Sequence, residues 1–126
     1  MTEKRPKLSE RSRRQLVLNQ YKGKEELLSL YAVLLNVISK LGDDIEISPR
    51  EDMVVLRVKK EFVYIIPDTN TNMIVGLNID DKEPEVRLEP PGPLGTICTH
   101  RIQLADISDV DDEVVGYIRE AYEGSK

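Results

Sequence analysis

The only histidine of the chain, His100, stands two residues after its only cysteine, Cys98, and directly before Arg101. Histidine is the side chain whose ordinary titration falls nearest neutrality, so a mechanism needing a general acid or base would draw on His100. On a strand, alternation places Cys98, His100, Ile102 and Leu104 on one side. A nucleophilic thiolate usually depends on a helix end or a turn for activation, and a strand supplies neither, so Cys98 reads as a small buried hydrophobe. His100 reads first as a hydrogen-bonded residue at the core margin, and catalysis through it ranks third among the functions considered.

Two charge clusters also carry chemistry. Asp109-Val110-Asp111-Asp112-Glu113 offers hard oxygen ligands, but a calcium loop needs a longer alternating array with a central glycine and a distant glutamate. Capping and dipole complementarity at a helix start account for these acids, and no metal is assigned. No phosphate-cradling glycine loop, metalloprotease histidine pair or nucleophile elbow is present, so no cofactor is expected. Lys4, Arg5, Lys7, Arg11, Arg13 and Arg14 face only Glu3 and Glu10, so residues 1–14 sum to +4; the whole-chain charge of −5 therefore leaves −9 for residues 15–126. Such an arm suits salt-sensitive, sequence-independent contact with phosphates, and it makes nucleic acid or a ribonucleoprotein a candidate partner.

The elements that must position these residues follow from periodicity. Leu27, Leu28, Tyr31, Leu34, Leu35, Ile38 and Leu41 recur at helical steps and predict a helix over residues 25–41, with Gly42 as its left-handed stop. Extended segments are expected at residues 45–48, 53–58, 61–66, 73–77 and 97–104, with a short one around Val86–Leu88. Pro90-Pro91-Gly92-Pro93 must be a connector. A second amphipathic helix, from Ser108-Asp109 to about Tyr122, buries Val110, Val114, Ile118, Ala121 and Tyr122. Upstream of Tyr21 the signal is open: Ser9 can cap a short helix, yet Leu16-Val17-Leu18 can equally extend.

The expected fold is α+β: an antiparallel sheet of about five strands, with an N-terminal and a C-terminal helix packed on one face as a two-layer sandwich. Residues 1–21 form a basic arm, partly disordered or docked, and residues 22–126 a single domain, which suits a chain of 126 residues. If Lys59-Lys60 turns a hairpin, Val54, Leu56, Val58, Val63 and Ile65 share the core face. Met53, Val55, Arg57, Phe62, Tyr64 and Ile66 then share the other, which is either open for binding or covered by the arm or the proline loop. One cysteine, a charged N-terminus and apolar runs too short for a bilayer lead to the expectation of a cytoplasmic protein with no membrane contact.

The stretch Cys98-Thr99-His100-Arg101-Ile102-Gln103-Leu104, with Asp109-Val110-Asp111-Asp112-Glu113 and Arg119-Glu120-Ala121-Tyr122 behind it, resembles a prokaryotic family, the domain of unknown function 5655, sometimes labelled a predicted transport protein. Gly23-Lys24-Glu25-Glu26-Leu27 and Lys59-Lys60-Glu61-Phe62 extend the resemblance over roughly residues 22–123. Members occur alone or joined to other domains, nuclease-like ones among them, and the resemblance implies an accessory binding role without established catalytic residues. The transport label finds no echo in a sequence without a membrane span.

The leading expectation is a non-catalytic interaction module for a protein or a small ligand. It would act through the exposed sheet face or the edge near Arg101, with Arg57, Phe62, Tyr64, His100 and Arg101 as contact residues and a homodimer as one arrangement.

Overall fold

A computed structural model describes residues 9–126. Lys4, Arg5 and Lys7 of the basic arm lie outside that range. Ser9 accepts a hydrogen bond from Ser12 N at 3.1 Å and caps α1 (Glu10–Gln20), so the helical alternative for this segment holds. α1 docks on the domain: Arg13 donates to the Ile47 carbonyl, and the buried Gln20 amide donates to the carbonyls of Arg50 and Met53. A turn through Gly23, at φ 78°, leads by a 3-10 turn into α2 (Leu28–Ser39). Leu27, Leu30, Leu34 and Ile38 form its buried stripe.

Five strands follow: β1 (Glu46–Pro49), β2 (Val54–Arg57), β3 (Glu61–Pro67), β4 (Met73–Leu77) and β5 (His100–Leu104). They make one antiparallel sheet in sequential order. α3 (Asp112–Gly124) closes the fold. Val54, Leu56, Val63, Ile65, Met73, Val75, Leu77, Ile102 and Leu104 share one core with the stripes of α2 and α3. Transfer of such side chains from water, at about 1.5–3 kcal/mol each, is what holds both helices to this face. Both sheet edges are blunted: β1 carries Pro49 and the Arg13 contact, while Glu89 makes a single bridge to Arg101 beside β5. Among the described residues no helix is long and apolar enough to cross a membrane.

Several sequence expectations are corrected. Gly42 is not left-handed; the positive-φ glycines are Gly23 and Gly92. No strand forms at Val86–Leu88, where Val86 is exposed and Leu88 is drawn into the core. In the β2–β3 hairpin the register runs Val54↔Ile65, Val55↔Tyr64 and Leu56↔Val63, then shifts to Arg57↔Glu61. Phe62 is the extra residue of that bulge and turns to the helix side, fully buried, with its ring edge-on to Tyr122 at 5.8 Å. The amides of Lys59 and Lys60 both donate to the Ser125 carbonyl just past α3, which ties the hairpin end down.

Candidate functional site

The sheet face opposite the helices is partly closed by the long β4–β5 connection. Its 3-10 turn (Gly92–Leu94) brings Leu94 and Cys98 onto Val55 and Tyr64, forming a second, smaller core. β5 begins only at His100, so Cys98 is not in the strand alternation and lies on this outer face, not beside His100 as expected. Gly76 makes room for it, because a Cβ there would come within 3.0 Å of Cys98 Sγ. Burial pushes the Cys98 thiol above its ordinary range, which leaves little thiolate at neutral pH.

The five expected contact residues do not converge. Phe62 belongs to the helix-side core, and Arg57 is exposed at the end of β2. Arg101 is spent on Glu89, with Nε 3.0 Å from Oε1, and its guanidinium lies against Gly92. Tyr64 is buried, with its hydroxyl donating to Glu61 Oε1 at 3.0 Å and accepting from Asn78 Nδ2 at 3.3 Å. Burial first, then the Glu61 carboxylate, pushes this phenol up to about 12. The hydroxyl opens on a cleft of about 470 Å³ between the hairpin end and α3. Glu61 there is already paired with Arg50 at 2.7 Å, and Glu120 with Lys82 at 3.3 Å.

His100 forms part of a different cleft, of about 520 Å³, between two loop segments, Ile79–Pro84 and Pro90-Pro91, and the start of β5 at Thr99-His100. The residue is 4% exposed. Its Nε2 lies 2.9 Å from the Lys82 carbonyl, which can only accept, so Nε2 carries a hydrogen. Nδ1 lies 2.7 Å from Thr99 Oγ1, whose single hydroxyl hydrogen is also within reach of the Leu77 and Ile79 carbonyls at 3.1 and 3.3 Å. Thr99 Oγ1 also accepts from the Ile79 amide at 2.9 Å. His100 is thus buried with both ring nitrogens in contact with polar partners, and it also lines a concavity.

The rim of this cleft carries Asp80, Asp81 and Glu83, and none of the three forms an ion pair among the described residues. Lys82 contributes to the wall, yet its ammonium points to α3, 3.2 Å from Glu85 and 3.3 Å from Glu120. Asp81, at φ 55°, adopts the left-handed conformation that turns the chain at the rim, one that aspartate tolerates better than most residues. Pro84, Pro90, Pro91 and Ile79 supply apolar surface. In the sequence these residues showed only as turn and connector signals; their convergence depends on the path of the β4–β5 connection.

The remaining charge clusters have structural uses. Asp111 caps α3 by accepting from Val114 N at 3.1 Å, and Asp109 accepts from the amides of Ala105 and Asp106. Arg87 binds Asp111 at 2.7 Å, Glu113 at 3.1 Å and the Asp109 carbonyl at 2.8 Å. The Val114 amide, then Arg87, hold the Asp111 carboxyl below its usual range. Of the described arm residues, Arg13 is half-buried on β1, while Arg11 and Arg14 are exposed.

In comparison with known proteins, the family described as Domain of unknown function (DUF5655) matches residues 17–125. This span takes in the last turn of α1 and the whole sheet. No curated protein and no solved structure matches the chain.

Proposed function

We propose, for a chain that belongs to the domain of unknown function 5655 family, a non-catalytic binding module that recognises a protein or a small ligand at the proline-walled cleft over His100. The observation that carries this reading is the combination of apolar walls with three carboxylates that have no ion-pair partner among the described residues. Concave sites with apolar walls and a few convergent polar groups are where ligands bind. Binding is favoured over catalysis because both ring nitrogens of His100 are engaged and the Cys98 thiol is covered. The site lies beside the sheet face that the sequence pointed to, since the connection covers the Tyr64 end of that face.

The test is a fragment and short-peptide screen read by amide NMR. Shifts clustered at residues 80–83 and 99–100 are expected; a screen whose hits leave those amides unmoved sinks the reading.

A second reading is accessory nucleic-acid binding through the arm. It rests on Arg11 and Arg14, which α1 presents to solvent without an ion-pair partner among the described residues. Gel-shift affinity for random-sequence RNA or DNA that falls on raising salt and disappears in an R11A/R14A variant supports it. Affinity unchanged by those substitutions removes it.

A further inference from the structure

We infer that the occupant of the His100 cleft is a lysine or arginine side chain presented by a basic, extended segment of a partner protein. This rests on the binding reading above and narrows its ligand class. Three features point to a cation on an aliphatic stem. Asp80, Asp81 and Glu83 are exposed, and each lacks an ion-pair partner among the described residues. Lys82, the one cation of the cleft lining among the described residues, is drawn away to Glu85 and Glu120 and stands over the Tyr117 ring at 5.8 Å, so it does not neutralise the rim. Pro84, Pro90, Pro91 and Ile79 give the methylene stem of lysine or arginine an apolar wall.

The other cleft, by Tyr64, offers a weaker complement. It shares Asp80 with the His100 cleft, but its other carboxylates, Glu61 and Glu120, are already matched by Arg50 and Lys82, and Lys60 adds a positive charge to its own wall, whereas Asp81 and Glu83 line the His100 cleft and not this one. Charge also decides between occupants of the His100 cleft. An acidic or phosphorylated segment would meet three like charges, and like-charge juxtaposition opposes docking. The carboxylates fall within the short run Asp80–Glu83, a spacing that a segment carrying more than one cation can follow. The chain outside its first fourteen residues is net acidic, at −9 by difference from the whole, so the field around the cleft attracts a basic partner before contact.

The experiment uses the full chain and three blocked peptides of equal length, in which glycines alternate with lysine, glutamine or glutamate. Binding is followed by amide NMR at low and at raised salt. The lysine peptide is expected to shift residues 80–83 and 99–100, to weaken with salt, and to lose about two- to fivefold in affinity for each of Asp80→Asn, Asp81→Asn and Glu83→Gln. These three residues are exposed, and asparagine keeps the tolerance of position 81 for its left-handed backbone. If the glutamine peptide binds at the same amides as tightly as the lysine peptide, the cation inference is overturned and the binding reading stands. If no peptide and no fragment reaches those amides, both fail.

Discussion

The Tyr122 hydroxyl donates to Asp44 Oδ1 at 2.8 Å, and in doing so it passes directly over the Cα of Gly42. A Cβ at position 42 would overlap Tyr122 Oη, with Asp44 Oδ1 at 2.8 Å and Tyr122 Cζ at 2.9 Å. The glycine is required here by a close approach between the end of α2 and α3. Gly42→Ala should therefore destabilise by about 1–3 kcal/mol, the usual range for overpacking, in urea unfolding. In a Tyr122→Phe background, which removes the clashing oxygen, the same substitution should cost clearly less. Additive effects of the two changes would show that the clash is relieved elsewhere.

Cys98 and Gly76 make a similar pair on the other face of the sheet. The thiol is 5% exposed and its ionisation is opposed by burial. Native protein should react with a disulfide reagent at pH 7 far more slowly than the urea-unfolded chain. Gly76→Ala puts a methyl 3.0 Å from Cys98 Sγ and 3.4 Å from the Tyr64 side chain, so it should loosen the β4–β5 connection and speed the native reaction. A thiol that is equally fast in native and unfolded protein would contradict the covered face.

His100 should be present, when uncharged, as the Nε2–H tautomer, because the Lys82 carbonyl opposite Nε2 can only accept. Long-range nitrogen–proton NMR correlations read this directly. His100→Ala should cost about 1–3 kcal/mol by leaving Lys82 O and Thr99 without their ring partner, while fragment binding at the cleft rim should persist in any variant that stays folded. An Nδ1–H ring would require the Lys82 contact to be broken.

Much of this architecture is legible from residue pattern. β4 (Met73–Leu77) is marked by its own sequence to the residue, and the β2–β3 register is correct up to Leu56↔Val63 because aliphatic alternation decides it. The pattern fails at Phe62, where the bulge depends on the Ser125 carbonyl capturing the hairpin amides from the far end of the chain. It fails at Cys98 because the start of β5 is set by the path of the preceding connection and not by propensity. The acids of residues 109–113 were readable as caps, whereas their common partner Arg87 sits in a stretch that resembled a strand. The cleft joins two loop segments to the start of β5, and no local periodicity records a loop's path.

The tyrosines give a test of packing on several elements at once. Burial raises Tyr21 and Tyr31, burial with the Glu61 carboxylate raises Tyr64 to about 12, and the hydrogen bond to Glu85 raises Tyr117 to about 12. Tyr122 is raised by its bond to Asp44. All five tyrosines of the chain should therefore ionise later in the folded protein than at the ordinary value of about 10. For a group whose folded pKa exceeds its unfolded one, the stabilisation is fully present below the unfolded pKa and is lost as pH rises through the folded one. Stability should thus hold up to about pH 10 and decline steeply between about pH 10 and 12. Absorbance near 295 nm should lag that of the urea-unfolded chain and then rise cooperatively with loss of structure. Glu85→Gln should advance the Tyr117 component and leave that of Tyr64 in place, since the two phenols rest on different carboxylates. A native titration that overlays the unfolded one would mean that neither the Glu85 nor the Glu61 contact is held in solution.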